Sequence, residues 1–500
     1  MPEKEVIIIG AGLAGLSAGI YAQMNGYRSH IFEHHTQPGG VAAAWKKEDY
    51  LIDGGIHFIM GYKPGTAIHK VYQDLGIIPF NRFVDMITYG RFLDEKSGYS
   101  ISVTQDLKRL SEDLKRISPV DAQLIDELMA GARLMQGIDA SEMGMMNPPE
   151  LSSPLGGVKE IWKMRRFLRC FAGKYAQSIA DYSQAVQHPY LRDFISTLFL
   201  PDVPIWFIFM LLGLLADGQI GYLEGGCLDF VWSMEKRYRE LGGEVTYNAT
   251  VEKILVKNDC AVGICLADNS EYRADAVISA CDGYSTIFDM LEGKYINEKI
   301  KKRYDSWKLT RPLVMISYGI EREFADEPTF SIVKLENPLL VKYEIIDHIF
   351  IRIFNYSSKF APQGKTVIQV EFESEWDFWN NLRNEDVFAY DKQKERIAEE
   401  VLKRLEVHYP DISLYLEVVD VATPHTLWRC TRNQKGAWGG WLLTKELMSA
   451  KIERTLPNLK NFYMAGQWVM PGGVPTSLYS GRHAIQILCH QYKKSFSTEK

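Results

Sequence analysis

Branched apolar residues open the chain. Val6-Ile7-Ile8-Ile9 follow a charged start, and the run Glu5–Ile9 reads as a buried central strand of a parallel sheet. Residues 13–25 are alanine-rich with small residues on one side, which predicts a helix that Gly26 ends. Residues 28–33 then return to a strand, completing a βαβ start.

Between residues 105 and 200 the pattern changes to helical spacing, with Leu107, Leu110, Leu114 and Ile117, then Leu124, Leu128 and Met129. Residues 147–154, rich in Pro and Ser, read as a loop. Residues 204–216 are apolar on every face but short of the roughly 20 residues that span a bilayer. Such a run is a buried helix, a lining for a lipid-like tunnel, or a contact with a membrane surface. Trp162, Phe167 and Phe171, near Lys163, Arg165, Arg166 and Arg169, extend that last option to a candidate peripheral membrane face.

A helix over 228–241, closed by Gly242-Gly243, leads into short strands at 244–247, 251–257, 261–266 and 276–280. Strand-like runs dominate from Leu313 to Val421, clearest at 313–320, 343–354 and 366–373, with one helix at 391–408. A short buried strand at 462–465 and a helix at 476–492 complete the pattern, and residues 495–500 read as a disordered tail.

Composition narrows the class. Of 500 residues, 46% are hydrophobic and 24% charged, and the net charge of -6 argues against a nucleic-acid partner. The seven cysteines are odd in number and contain no CxxC pair, which predicts reduced thiols and no metal site. A charged start running straight into a strand predicts no signal peptide and a cytoplasmic protein.

The chemistry begins where the first strand meets the first helix. Gly10, Gly12 and Gly15 form GxGxxG, with Leu13 and Ala14 in the first helical turn. Gly10 permits the tight turn, Gly12 admits a pyrophosphate to the backbone, and Gly15 lets helix and strand pack closely. Glu33, at the end of the second strand, is placed to bind the hydroxyls of an adenosine ribose. This segment alone suits NAD as well as FAD.

The residues that follow favour FAD. Gly39-Gly40 comes soon after Glu33, a second pair stands at Gly54-Gly55, and no second GxGxxG offers a site for NADPH. With Ala249–Ile254 and the segment 461–477, these motifs resemble the glutathione-reductase-type flavoproteins, in their amine oxidase and phytoene desaturase branch. The resemblance implies FAD, a backbone contact from Val251 to adenine, and a last flavin segment containing Gly466, Gln467, Gly473 and Val474. Gln467 stands where many of the superfamily have Asp.

Residues 50–59 and 471–481 resemble the carotenoid isomerase, retinol saturase and phytoene desaturase members. The expected activity is therefore desaturation, saturation or cis/trans isomerisation of a carotenoid- or retinoid-like polyene. An amine or amino-acid oxidase and a non-catalytic lipid-binding flavoprotein are the alternatives. His57, just past Gly55, is the first candidate for a proton donor. Tyr479, His425 and Arg432 are further candidates near the C-terminal glycine segments.

The expected fold is α/β. A Rossmann-type FAD-binding domain is assembled from residues 1–80, 221–290 and 450–493. An α+β substrate domain with an antiparallel sheet takes residues 81–104 and 291–449, and residues 105–220 form a helical insertion.

Overall fold

The computed structural model describes residues 4–139, 145–151, 165, 167 and 171–499. Lys163, Arg166, Arg169, Trp162 and Cys170 lie outside the described residues.

The parallel-sheet part is built from β1 (Glu5–Ile9), α1 (Leu13–Met24), β2 (Arg28–Phe32), α2 (Gly226–Glu240), β3 (Glu244–Thr246), β4 (Ala276–Ser279), β5 (Phe462–Met464) and α3 (Val474–Gln491). The five strands form one sheet in the order β3-β2-β1-β4-β5, every pair parallel. The apolar run of β1 is explained by that order, because a central strand is covered on both faces. All twelve residues of α1 are buried. Their small side chains let α3 come close: a Cβ added to Gly481 would lie 2.3 Å from the Ala14 carbonyl oxygen.

A seven-stranded sheet stands apart from the first, in the order 416–422, 313–320, 366–373, 344–353, 330–341, 88–94, 100–104. Its pairs are antiparallel except Thr88–Asp94 with Phe330–Val341. The helix Val387–His408 covers one face. It begins earlier than its apolar spacing suggests, because the Asp386 carboxylate caps it by accepting from the Ala389 N–H.

The apolar run resolves in favour of the core. The helix Trp206–Ala216 buries every residue from Trp206 to Leu215. It packs against the helix Ala122–Met135, where a Cβ at Gly213 would meet the Ala132 oxygen at 2.8 Å. Both ends of that close approach are inside the protein, so this run offers no surface to a membrane. No helix among the described residues is long and apolar enough to cross one.

The C-terminal tail also departs from expectation. The Ser497 N–H donates to Asn25 Oδ1 at 2.8 Å, the Asn25 amide donates back to the Ser497 carbonyl at 2.9 Å, and Phe496 packs on Tyr21. Polar composition suggested a free end, but Asn25, at the C-terminus of α1, supplies a dock. Truncation after Lys494 is expected to cost about 1 kcal/mol, the scale of one or two net hydrogen bonds, read as a lower denaturant midpoint.

Candidate functional site

The β1–α1 turn, β2 and the C-terminal segment enclose a cleft of about 620 Å³. Gly10, Gly12, Leu13, Ala14, Glu33, Gly39, Gly40, Val251, Gly466 and Gln467 all line it. The three fingerprint glycines differ in what requires them. Gly10 has a φ of +98°, a backbone that disfavours side chains. Gly15 is fixed by packing, since a Cβ there would fall 1.9 Å from the Gly10 oxygen. Gly12 has an ordinary φ of -71°, and its added Cβ would approach nothing nearer than 3.8 Å. The protein itself does not need glycine at position 12, which faces the cleft.

Around this turn the groups suit a dinucleotide. The α1 N-terminus has no side-chain cap, so its N–H groups remain for an anion. Gly39 holds the opposite rim through its N–H, which donates to the Ala11 carbonyl at 3.0 Å. Glu33 is buried and oriented by two backbone donors, Ala11 N at 2.6 Å and His35 N at 2.8 Å. A carboxylate has about four acceptor positions, so two stay open for ribose hydroxyls.

Four expected residues, Gly15, Gly55, Gly473 and Val474, do not line the cleft. Gly15 packs as described. A Cβ at Gly55 would strike Cys227 Sγ at 2.7 Å and the Ala42 Cα at 2.9 Å, so this glycine shapes the 39–42 rim from behind. Gly473 caps α3 and Val474 begins it, while Ser477, one turn further, reaches the cleft.

The cleft has a second wall, of which the sequence offered Arg432 alone. Cys281, Asp282 and Ser285 come from the turn after β4, and Cys430 to Asn433 come from the end of the helix Pro424–Thr431. Asp282 is buried, and burial raises its carboxyl to about 6 against the pull of donors from Ser285 N and Gln434 N. The spacing carries no motif for this wall, because it forms between segments some 150 residues apart, as in the Gln434–Asp282 bond.

His57 stands elsewhere, at the junction of residues 53–57 with the seven-stranded sheet. Its Nε2 lies 3.1 Å from Glu371 Oε2. Arg352 Nη1 donates to Gln369 Oε1 at 2.9 Å and lies 3.4 Å from Glu371 Oε1. Asp53 accepts from Cys227 N at 2.6 Å and from its Sγ at 3.1 Å. Burial works to raise the Glu371 carboxyl, but His57 and Arg352 outweigh it and hold the group at about 2. Burial and then Asp53 push the Cys227 thiol well above its usual range, so it stays protonated. A small cavity of about 30 Å³ adjoins this cluster, walled by Phe58, Tyr89, Tyr222, Phe330, Phe354 and Tyr356 together with His57 and Arg352.

Tyr479 is corrected by its position. Its side chain is fully buried on the inward face of α3, with the hydroxyl on Met146 Sδ at 3.6 Å, and it reaches neither cavity. Helical phase explains the miss, since Ser477 rather than Tyr479 faces the cleft. His425 is buried among Trp376, Tyr390 and Trp428. Among the described residues no group of His, Cys, Asp and Glu converges as metal ligands, and six cysteines are unpaired.

The family model for flavin containing amine oxidoreductases matches residues 13–488, and the chain belongs to that family. Its cofactor is FAD, for which the dinucleotide cleft is suited. The chain is 23% identical to a prolycopene isomerase of Daucus carota, covering 96% of this chain and 79% of that protein. It is 22% identical to a lycopene-forming phytoene desaturase of Paracoccus sp., over 97% of each chain. An all-trans-retinol 13,14-reductase of Danio rerio is 22% identical over 96% of this chain and 85% of its own. An oxidoreductase structure from Methanosarcina mazei shares the fold with a TM-score of 0.61 at 16% identity, covering 96% of this chain and all of that one. A cyclohexylamine oxidase from Brevibacterium oxydans does so at 0.61 and 12%, covering 99% of this chain and all of that one.

Proposed function

We propose that this flavoprotein acts on carbon–carbon bonds of a hydrophobic polyene, carotenoid- or retinoid-like, by desaturation, saturation or cis/trans isomerisation. The observation that carries the proposal is the near full-length likeness to three relatives whose named reactions differ but whose named substrates are all isoprenoid polyenes or their precursor.

In this reading Gly10, Gly12, Leu13, Ala14, Glu33, Gly39, Gly40, Val251, Gly466 and Gln467 contact FAD. Gly15, Gly55, Gly473 and Val474 shape the backbone that does so. Residues 1–80, 221–290 and 450–493 carry the cofactor, residues 81–104 and 291–449 the substrate, and residues 105–220 the helical insertion. The flavin, when bound, takes or gives the hydride. The protein positions the double bond, excludes water and handles the proton. His57 is the proposed proton-handling group. Glu371, ionised at neutral pH, lies 3.1 Å from Nε2 and holds the imidazole beside it.

His57→Gln is expected to lower turnover about 100-fold, the lower range for loss of a general acid, with FAD content unchanged. Steady-state rates together with the flavin absorbance ratio check this.

The functional test incubates oxidised and chemically reduced holoprotein, without oxygen, with prolycopene, phytoene or all-trans-retinol. The expected result is a product differing in number or geometry of double bonds. If no polyene is altered and the flavin is instead reduced by an amine such as putrescine, the proposal fails in favour of an amine oxidase. Polyene that binds and is recovered unchanged would mark a carrier.

A further inference from the structure

The cofactor cleft is crossed by a piece of the other sheet's connectivity. After the strand Leu416–Ala422 the chain forms the helix Pro424–Thr431, then turns sharply across the cleft mouth at Cys430 to Asn433. Three bonds tie this turn to the nucleotide-binding part. Gln434 N donates to Asp282 Oδ1 at 2.8 Å, Trp468 Nε1 donates to Asn433 Oδ1 at 3.4 Å, and Arg432 Nε donates to His34 Nε2 at 3.2 Å. The last bond fixes a tautomer. If His34 Nε2 accepts from a guanidinium, its proton sits on Nδ1 and is donated to Thr250 Oγ1 at 2.8 Å.

Two features of Arg432, which is exposed at the cleft, bear on what it can bind. Its φ of +57° and ψ of 12° place a branchless but bulky cationic residue in the left-handed region, at a helix C-cap where glycine is the common choice. Its guanidinium also lacks a carboxylate partner. The other basic side chain on the cleft, Lys253, lies 3.4 Å from Glu292, whereas Arg432 has no acidic oxygen within 4 Å among the described residues. Its neighbours are His34 and the face of Trp428, 4.7 Å away. The cleft is meanwhile lined by Glu33, Glu252, Asp282 and Asp289, so a cation at its edge adds to the α1 N-terminus in favouring a dianionic pyrophosphate.

We infer that residues 430–433 are a strap over the cofactor cleft and that Arg432, at its tip, binds the adenosine diphosphate half of FAD. His34 follows Glu33, the ribose-binding carboxylate, and this adjacency sets the end of the dinucleotide that Arg432 meets. The inference rests on FAD occupying this cleft. It assigns Arg432 to cofactor retention rather than to the reacting bond.

The test measures binding, not turnover. Asn tolerates the left-handed backbone, so Arg432→Asn removes the charge while keeping the turn. Apoprotein is titrated with FAD by quenching of flavin fluorescence, and with AMP by competition. FAD affinity is expected to fall about tenfold, the loss of one charge-assisted contact, and AMP affinity by a similar factor. The melting temperature of the apoprotein is expected to stay at the wild-type value. Affinities within twofold of wild type would overturn the inference, and so would a loss for FAD without one for AMP. Should Arg432→Asn fail to fold, Arg432→Lys is measured instead: it keeps the charge without the planar fork, and wild-type affinity there would make Arg432 a general charge rather than the proposed contact. A wild-type chain that takes up no FAD would overturn the cofactor itself, a separate result.

Discussion

Gly12→Val is expected to yield a folded protein without flavin. At φ -71° and ψ 177° the backbone at position 12 is extended and accepts a branched residue. The new Cβ meets no protein atom nearer than 3.8 Å, so the core has no reason to move. The side chain instead fills the space before the α1 N-terminus, where the pyrophosphate approaches backbone N–H groups. Wild-type protein gains about 2.7 kcal/mol when FAD is a hundredfold above its Kd, and the variant should gain nothing. Absorbance of the purified protein and melts with and without FAD read both effects. Gly15→Val is the informative partner: its Cβ would lie 1.9 Å from the Gly10 oxygen, so it should damage the fold itself. Stoichiometric FAD in a folded Gly12→Val protein would refute the placement of the pyrophosphate.

That contrast also explains what the sequence could convey. The β1–α1–β2 unit was legible because its signals are local: a branched run, small residues at helix spacing, and Glu33 at a strand end all lie within thirty residues. The Gly39-Gly40 rim was legible for the same reason. The wall made by Asp282 and by Cys430 to Asn433 was legible only at Arg432, since the bond from Gln434 N to Asp282 joins segments that share no spacing. Proximity misled at α3: Tyr479 lies near the glycine segments in sequence, but helical phase turns it away from the cleft and brings Ser477 to it. The run 204–216 showed its opposite limit: hydropathy identified an all-round apolar helix but could not say what covers it. The covering came from the helix Ala122–Met135, whose own apolar face was visible in the pattern only as half of a pair.

The partnership of His57 with Glu371 was equally out of reach, and it carries the second large expectation. Glu371 and Arg352 are both buried, and Glu371 is held at about 2 because His57 and Arg352 favour its charged form over the penalty of burial. Glu371→Gln keeps the shape but leaves Arg352 with only the neighbouring Asp53 charge and neutral acceptors. Breaking a buried pair in this way costs about 3–5 kcal/mol, and the remaining Asp53 charge favours the lower end. The sign of the pH dependence follows from the lowered carboxyl. The unfolded chain binds a proton at Glu371 near the ordinary value of 4.5, the folded chain only near 2. Stability from this group is therefore complete above pH 5 and is lost as pH falls towards 2, by about 3 kcal/mol in all. Urea unfolding at pH 7 and pH 3.5 should show a smaller midpoint difference in Glu371→Gln than in wild type. Parallel pH profiles for the two proteins would mean that the buried carboxylate is not the group that links the sheet to His57. A matching loss of turnover with full FAD content would tie the same carboxylate to the proton that His57 is proposed to handle.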